Sequence, residues 1–187
     1  MNRTMVAFSF CVCLAMASQS RCTTLPDACG DDKIQFDVKT EKHPPAPVAP
    51  ETGKAQIVFV GQVDSRAMGA CIGCNTFTTT RVGVDGSWVG ATKANSYFAL
   101  DVAPGEHHLC AYWKSIQATR GKNVAVTSFS AEAGQVYYFQ VMIKDVEGAV
   151  MGESSVSNWV LDLTPLSEDE GKYRVKISPL AAATPKK

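Results

Sequence analysis

From residue 55 onward one pattern recurs: short runs of alternating apolar and polar residues, broken by polar turns. Successive side chains on a strand point to opposite faces, so this period of two specifies strands with one buried face. The run 55–63 (AQIVFVGQV) differs, because Ile57 and Phe59 alternate with the equally apolar Val58 and Val60. A strand apolar on both faces belongs in the middle of a sheet. The Thr-rich run 76–84 (TFTTTRVGV) reads as a half-exposed strand, and Asp85-Gly86 after it is a two-residue hairpin signal. In 96–102 (SYFALDV), Phe98, Leu100 and Val102 share a face. Ala103-Pro104-Gly105-Glu106 then turns the chain into 107–113 (HHLCAYW), which reads as the antiparallel partner in a hairpin. Further runs follow at 124–130 (VAVTSFS), 136–143 (VYYFQVMI) and 158–163 (NWVLDL), the last with Trp159, Leu161 and Leu163 on one face. Strands this short and this close predict an all-β fold, an antiparallel sandwich of about seven to eight strands.

One helix closes the chain. Ser167 with Glu170 three residues later is a capping box, acids lead, and Lys172, Arg174 and Lys176 trail. Leu166, Tyr173 and Ile177 could share its buried face, while Gly171 weakens it by about 1 kcal/mol relative to alanine. The tail 181–187 (AAATPKK) is expected to fray.

The other end reads as a secretory signal: Arg3, an apolar run over 5–17 broken only by Ser9, and a cleavage site at Ala15-Met16-Ala17. Such a run is shorter than the roughly 20 residues a bilayer span needs. Cys22 follows Gln19-Ser20-Arg21, a poor context for lipid anchoring. Residues 18–33 are polar and read as loose, 33–39 (KIQFDVK) as a short strand, and Pro44, Pro45, Pro47 and Pro50 as an extended linker. The organisation is therefore 1–17 signal, 18–52 polar lead and linker, 53–163 sandwich, and 164–187 helix and tail. The expected location is the periplasm, cell envelope or extracellular space.

Lys+Arg and Asp+Glu balance at 18 each, so nothing drives the chain toward nucleic acid. Cleavage after Ala17 leaves five cysteines: Cys22, Cys29, Cys71, Cys74 and Cys110. Outside the cytoplasm these favour disulfides, and the odd number leaves one over. Cys29, Cys71, Cys74 and Cys110 are the candidates. Cys71 and Cys74 can join each other, or one of them can reach Cys110 or Cys29; a loop of about 35 residues to Cys110 would contribute about 3–4 kcal/mol.

Two alternatives use the same thiols. A Cys-x-x-Cys pair can be a redox site when a helix N-terminus follows, but Cys71-Ile-Gly-Cys74 runs into a strand-like segment. Cys71, Cys74 and Cys110 with His108 would make a structural zinc set, against which oxidation competes. His107 and His108 point to opposite faces of a strand and cannot chelate one ion together, and His43 lies in the linker. No hydrolase elbow, zincin helix or phosphate loop is present. An aromatic set (Trp88, Tyr97, Phe98, Tyr112, Trp113, Tyr137, Tyr138, Phe139 and Trp159) divides between core and surface, and an exposed row could bind a small molecule or glycan.

Gly53-Lys54-Ala55, "VGVDGSWVG", "NSYFALDVAPGEHHLCAYW" and "FSAEAGQVYYFQV" resemble the domain of unknown function 2846 family over about residues 53–143. The shorter pieces V-D-G…G and P-G-x-H are shared with PEGA-type and carboxypeptidase-regulatory-like sandwiches. The resemblance implies a prealbumin-like β-sandwich, exported and often lipid-anchored, and it carries no catalytic residues to transfer. The expectation is a non-enzymatic exported module without catalytic, cofactor or metal residues, either a structural element of the envelope or a binder of another envelope protein or surface component through exposed sheet edges.

Overall fold

The computed structural model describes residues 29–31, 33–41, 49–63, 79–113, 123–151 and 154–186. Its strands are β1 (Phe36–Glu41), β2 (Ala55–Val63), β3 (Thr80–Val84), β4 (Ser87–Thr92), β5 (Ser96–Val102), β6 (Gly105–Trp113), β7 (Val124–Ala131), β8 (Val136–Met151), β9 (Ser154–Leu166) and β10 (Leu180–Pro185). A single described helix, α1, spans Glu168–Ile177. The strands form a six-stranded sheet, β1-β10-β5-β2-β8-β9, and a four-stranded sheet, β4-β3-β6-β7.

The sandwich and the short helix are as the sequence predicts, with two refinements. Ten strands are described, and two pairings are parallel: β2 with β8 and β10 with β5. β2 is the central strand its double apolar run requires. Ile57 and Phe59 enter the inter-sheet core with Val82, Leu109, Phe139, Val141 and Leu161. Val58 and Val60 lie on the opposite face, under α1 with Tyr97, Tyr138 and Val175.

The stretch 96–113 is not a hairpin. β5 pairs with β2 in the large sheet, whereas β6 pairs with β3 and β7 in the small one. Ala103-Pro104 is a crossover between layers. A Pro-Gly turn reverses the chain but does not decide whether the reversed strands pair. Apolar faces that could lie side by side on one sheet here meet across the core instead. Asp85-Gly86 does form the expected hairpin, β3 to β4, with φ of 51° and 79°, as a type I′ turn needs.

Four other expectations are corrected. β3 is buried along its whole length, because Cys29 and Ile34 lie over its outer face at Gly83 and Arg81 while Val82 and Val84 face the core. Cys29 and Asp31 are thus tied to the sandwich, not loose. The tail forms β10, paired with β1 from Phe36↔Pro185 to Glu41↔Leu180. On α1, Gly171 and Val175 are the buried residues, while Tyr173 and Ile177 are exposed. The cap is as expected, with Ser167 Oγ accepting from the Glu170 N–H at 3.3 Å.

Candidate functional site

Three features bring chemistry-bearing groups together. The first is a clasp on the outer face of the small sheet. Even-numbered residues of β6 face outward, which places Cys110 and Tyr112 beside Trp88 of β4. Cys110 is disulfide-bonded to Cys29, 81 residues away, with Cα atoms 5.2 Å apart. Arg81, 5% exposed, lies between the rings of Trp88 and Tyr112 at 4.4 and 4.5 Å from their centroids. Its Nη1 donates to the Ile34 carbonyl at 2.5 Å, and Trp88 Nε1 donates to the Asp31 carbonyl at 2.9 Å. A sulfur bond and two donors to backbone carbonyls therefore hold the N-terminal segment down.

Cysteine spacing does not announce this pairing: Cys29 and Cys110 are far apart in sequence, and each reads only as a partner of Cys71 or Cys74. With its sulfur bonded to Cys29, Cys110 is not a thiol, so the zinc set of Cys71, Cys74, Cys110 and His108 lacks one of its ligands; the Cys71-x-x-Cys74 redox pair lies outside the described residues. Among the described residues no cluster of three or more His, Cys, Asp or Glu could hold a metal ion. Ala17, Cys22, His43, Cys71 and Cys74 lie outside the described residues.

The second feature is the corner where β5 crosses to β6. His107 points inward and is nearly buried; His108 points outward and is exposed. His107 Nδ1 lies 2.7 Å from Asp85 Oδ2, and Nε2 lies 2.7 Å from the Ala103 carbonyl. The other Asp85 oxygen accepts the His108 N–H at 2.8 Å. Burial opposes the imidazolium, but the Ala103 carbonyl and Asp85 outweigh it and raise His107 above its ordinary value of 6.5. Partial burial likewise opposes the Asp85 carboxylate, yet the His108 N–H and the His107 ring hold it below its ordinary 3.8. Sequence reading separated the two histidines correctly but missed Asp85, whose role in the hairpin turn hid its second role.

The third feature is the free edge of β7. Its only paired neighbour among the described residues is β6, over an unbroken register from Gly105↔Ala131 to Tyr112↔Val124. The Trp113 N–H donates to the Asn123 carbonyl, which fixes the alternation. Odd-numbered residues of β7 bond inward to β6, and Val124, Val126, Ser128 and Ser130 present their N–H and C=O groups outward. Most of the aromatic set is core instead: Trp88, Tyr97, Trp113, Tyr138 and Phe139 are buried.

A family model described as Protein of unknown function (DUF2846) matches residues 51–155. The chain belongs to this family. The DUF2846 match runs from the residues before β2 into β9, so it covers the whole small sheet, the His107 corner and the β7 edge. Cys29 and β1 lie upstream of it, α1 and β10 downstream. No curated protein and no solved structure matches the chain. A disulfide is compatible with export, and no described helix is long and apolar enough to cross a membrane.

Proposed function

We propose that this DUF2846 chain is an exported, non-catalytic binding module that takes up an extended segment of another envelope polypeptide at the β7 edge. The observation that carries the reading is the composition of that edge. Natural edge strands are blunted by charge, proline or bulges. β1 carries Asp37, Lys39 and Glu41, and β9 carries Asp162 and Pro165. β4 pairs with β3 through a register shift at Val82/Gly83, a bulge of the kind that blunts an edge. β7 (VAVTSFSA) has no charge, no proline and no register shift. An added strand would satisfy its outward backbone groups and read small side chains such as Ser128 and Ser130. The fate of the reactive side chains supports the non-catalytic part: Cys110, His107 and Arg81 are all engaged in holding the fold together.

Photo-crosslinking from position 126 in exported protein tests this, with position 39 on β1 as the control edge. Ser128→Pro removes an outward N–H and no β6 hydrogen bond, so the fold should persist. The expected result is a crosslinked polypeptide at 126, absent at 39 and lost in Ser128→Pro. Equal labelling of both edges, labelling that survives the proline, or no adduct at 126 would overturn it.

A further inference from the structure

Asp85 sits in the β3–β4 hairpin turn and Ala103 at the β5–β6 crossover; His107 touches both. Within the small sheet the chain passes from β3 to β4, and it enters β6 from the other layer through Ala103-Pro104. The β3–β4 turn already docks on β6, through the pairing that ends at Val84↔Leu109 and through the Asp85 N–H, which donates to the His108 carbonyl at 2.9 Å; the imidazole adds the side-chain link from that turn to the crossover residue Ala103. Its two partners are both acceptors, a carboxylate oxygen and a carbonyl oxygen. A neutral imidazole has one N–H and satisfies one of them; a doubly protonated ring satisfies both. We infer that His107 is carried as an imidazolium and works as a proton-operated pin, fastening the β3–β4 turn to the crossover between the two sheets.

The groups around the ring are compatible with that state. Asp85 faces it from the hairpin turn and the Ala103 carbonyl from the crossover. From β7 comes the uncharged ring of Phe129, 5.9 Å away between centroids. On β6 itself, Glu106 and His108 point to the opposite face. Among the described residues Asp85 is thus the one charged partner on the His107 side, and its second oxygen is fixed by the His108 N–H.

The direction of the pH dependence follows. His107 is raised in the folded chain, so its contribution is complete below about 6.5 and is lost as pH climbs through the folded value. Asp85 is lowered, so its contribution is present above about 3.8 and is lost as pH falls through its folded value. The pin is closed between these limits and opens on the alkaline side. The acceptors that define it lie on the β3–β4 turn and the crossover and not on β7, and the inference stands whether or not that edge binds a partner.

Ring nitrogen NMR of the full oxidised chain tests it, titrated from about pH 5 to about pH 9. His107 should show two protonated nitrogens and keep both above its ordinary 6.5; a one-unit rise is about tenfold in proton affinity. Asp85→Asn, which keeps the acceptor for the His108 N–H, should lower the pH at which the ring loses one of them. Amide exchange at 102–108 and 85–87, corrected for intrinsic rates, should rise several-fold as the ring deprotonates. In His107→Asn it should already be fast at acid pH. A His107 ring already neutral below its ordinary 6.5, or corner exchange indifferent to pH and to both variants, would overturn the pin.

Discussion

Gly171 of α1 lies against the ring of Tyr138 on β8, so close that a Cβ on residue 171 would fall well inside van der Waals contact with Cγ, Cδ1 and Cβ of the tyrosine. A glycine that local propensity marks as a weakness is the residue that lets the helix seat on the large sheet. Gly171→Ala gains about 1 kcal/mol of helix propensity but forces an overpacking cost of about 1–3 kcal/mol. The ring belongs to a central strand and cannot move away cheaply, so the expected sum is a net loss, read as a lower urea midpoint with unchanged slope.

The burial of α1 separates Val175 from Ile177. Val175 packs with Val58, Val60, Tyr97 and Tyr138, whereas Ile177 is 58% exposed. Val175→Ala is expected to cost about 2 kcal/mol and Ile177→Ser within about 0.5 kcal/mol of nothing. Thermal unfolding of the two variants side by side checks this, and equal costs would contradict the placement of the helix.

Arg81 should tolerate no substitution well. Arg81→Ala removes a desolvated cation from between two rings and the donor to the Ile34 carbonyl, an expected loss of about 3 kcal/mol. Arg81→Lys keeps the charge but not the planar stack and should lose about 1–2 kcal/mol. Denaturant unfolding ranks them. Hydrogen exchange over 29–35 should quicken in both, because the segment is held through its carbonyls.

Much of this fold is legible in the sequence where a residue's local chemistry and its tertiary role coincide. The double apolar run of β2 demands a central strand, Asp85-Gly86 demands positive φ, and Ser167 caps a helix. Legibility fails where the same local signal serves two topologies. Pro104-Gly105 marks a reversal whether the strands pair or separate into layers. Arg81 looks solvent-facing until Ile34 is laid over it, and Thr80 until the second sheet is stacked against the face it shares with Val82. The tail 181–187 has no alternating pattern, since Ala181 and Ala183 owe their burial to β1 and β4 beside them. At the candidate sites, His107 and Cys110 are visible as residues of interest, but their partners Asp85 and Cys29 stand 22 and 81 positions away. Nothing in their spacing announces the pairing.

The Cys29–Cys110 bridge closes a loop for which the chain-entropy relation gives about 4.5 kcal/mol. Cys29→Ala with Cys110→Ala is expected to lose about 2–5 kcal/mol, and reduction of the native chain should lower the thermal midpoint by a matching amount.

The most direct measurement is peptide mapping of the exported chain, alkylated before any reduction. The expected result is one linked pair joining the Cys29 and Cys110 peptides, neither alkylated, in a chain that begins after Ala17. Free, alkylated Cys110, or Cys110 joined to Cys71 or Cys74, would contradict a sandwich clasped shut by its own N-terminal segment.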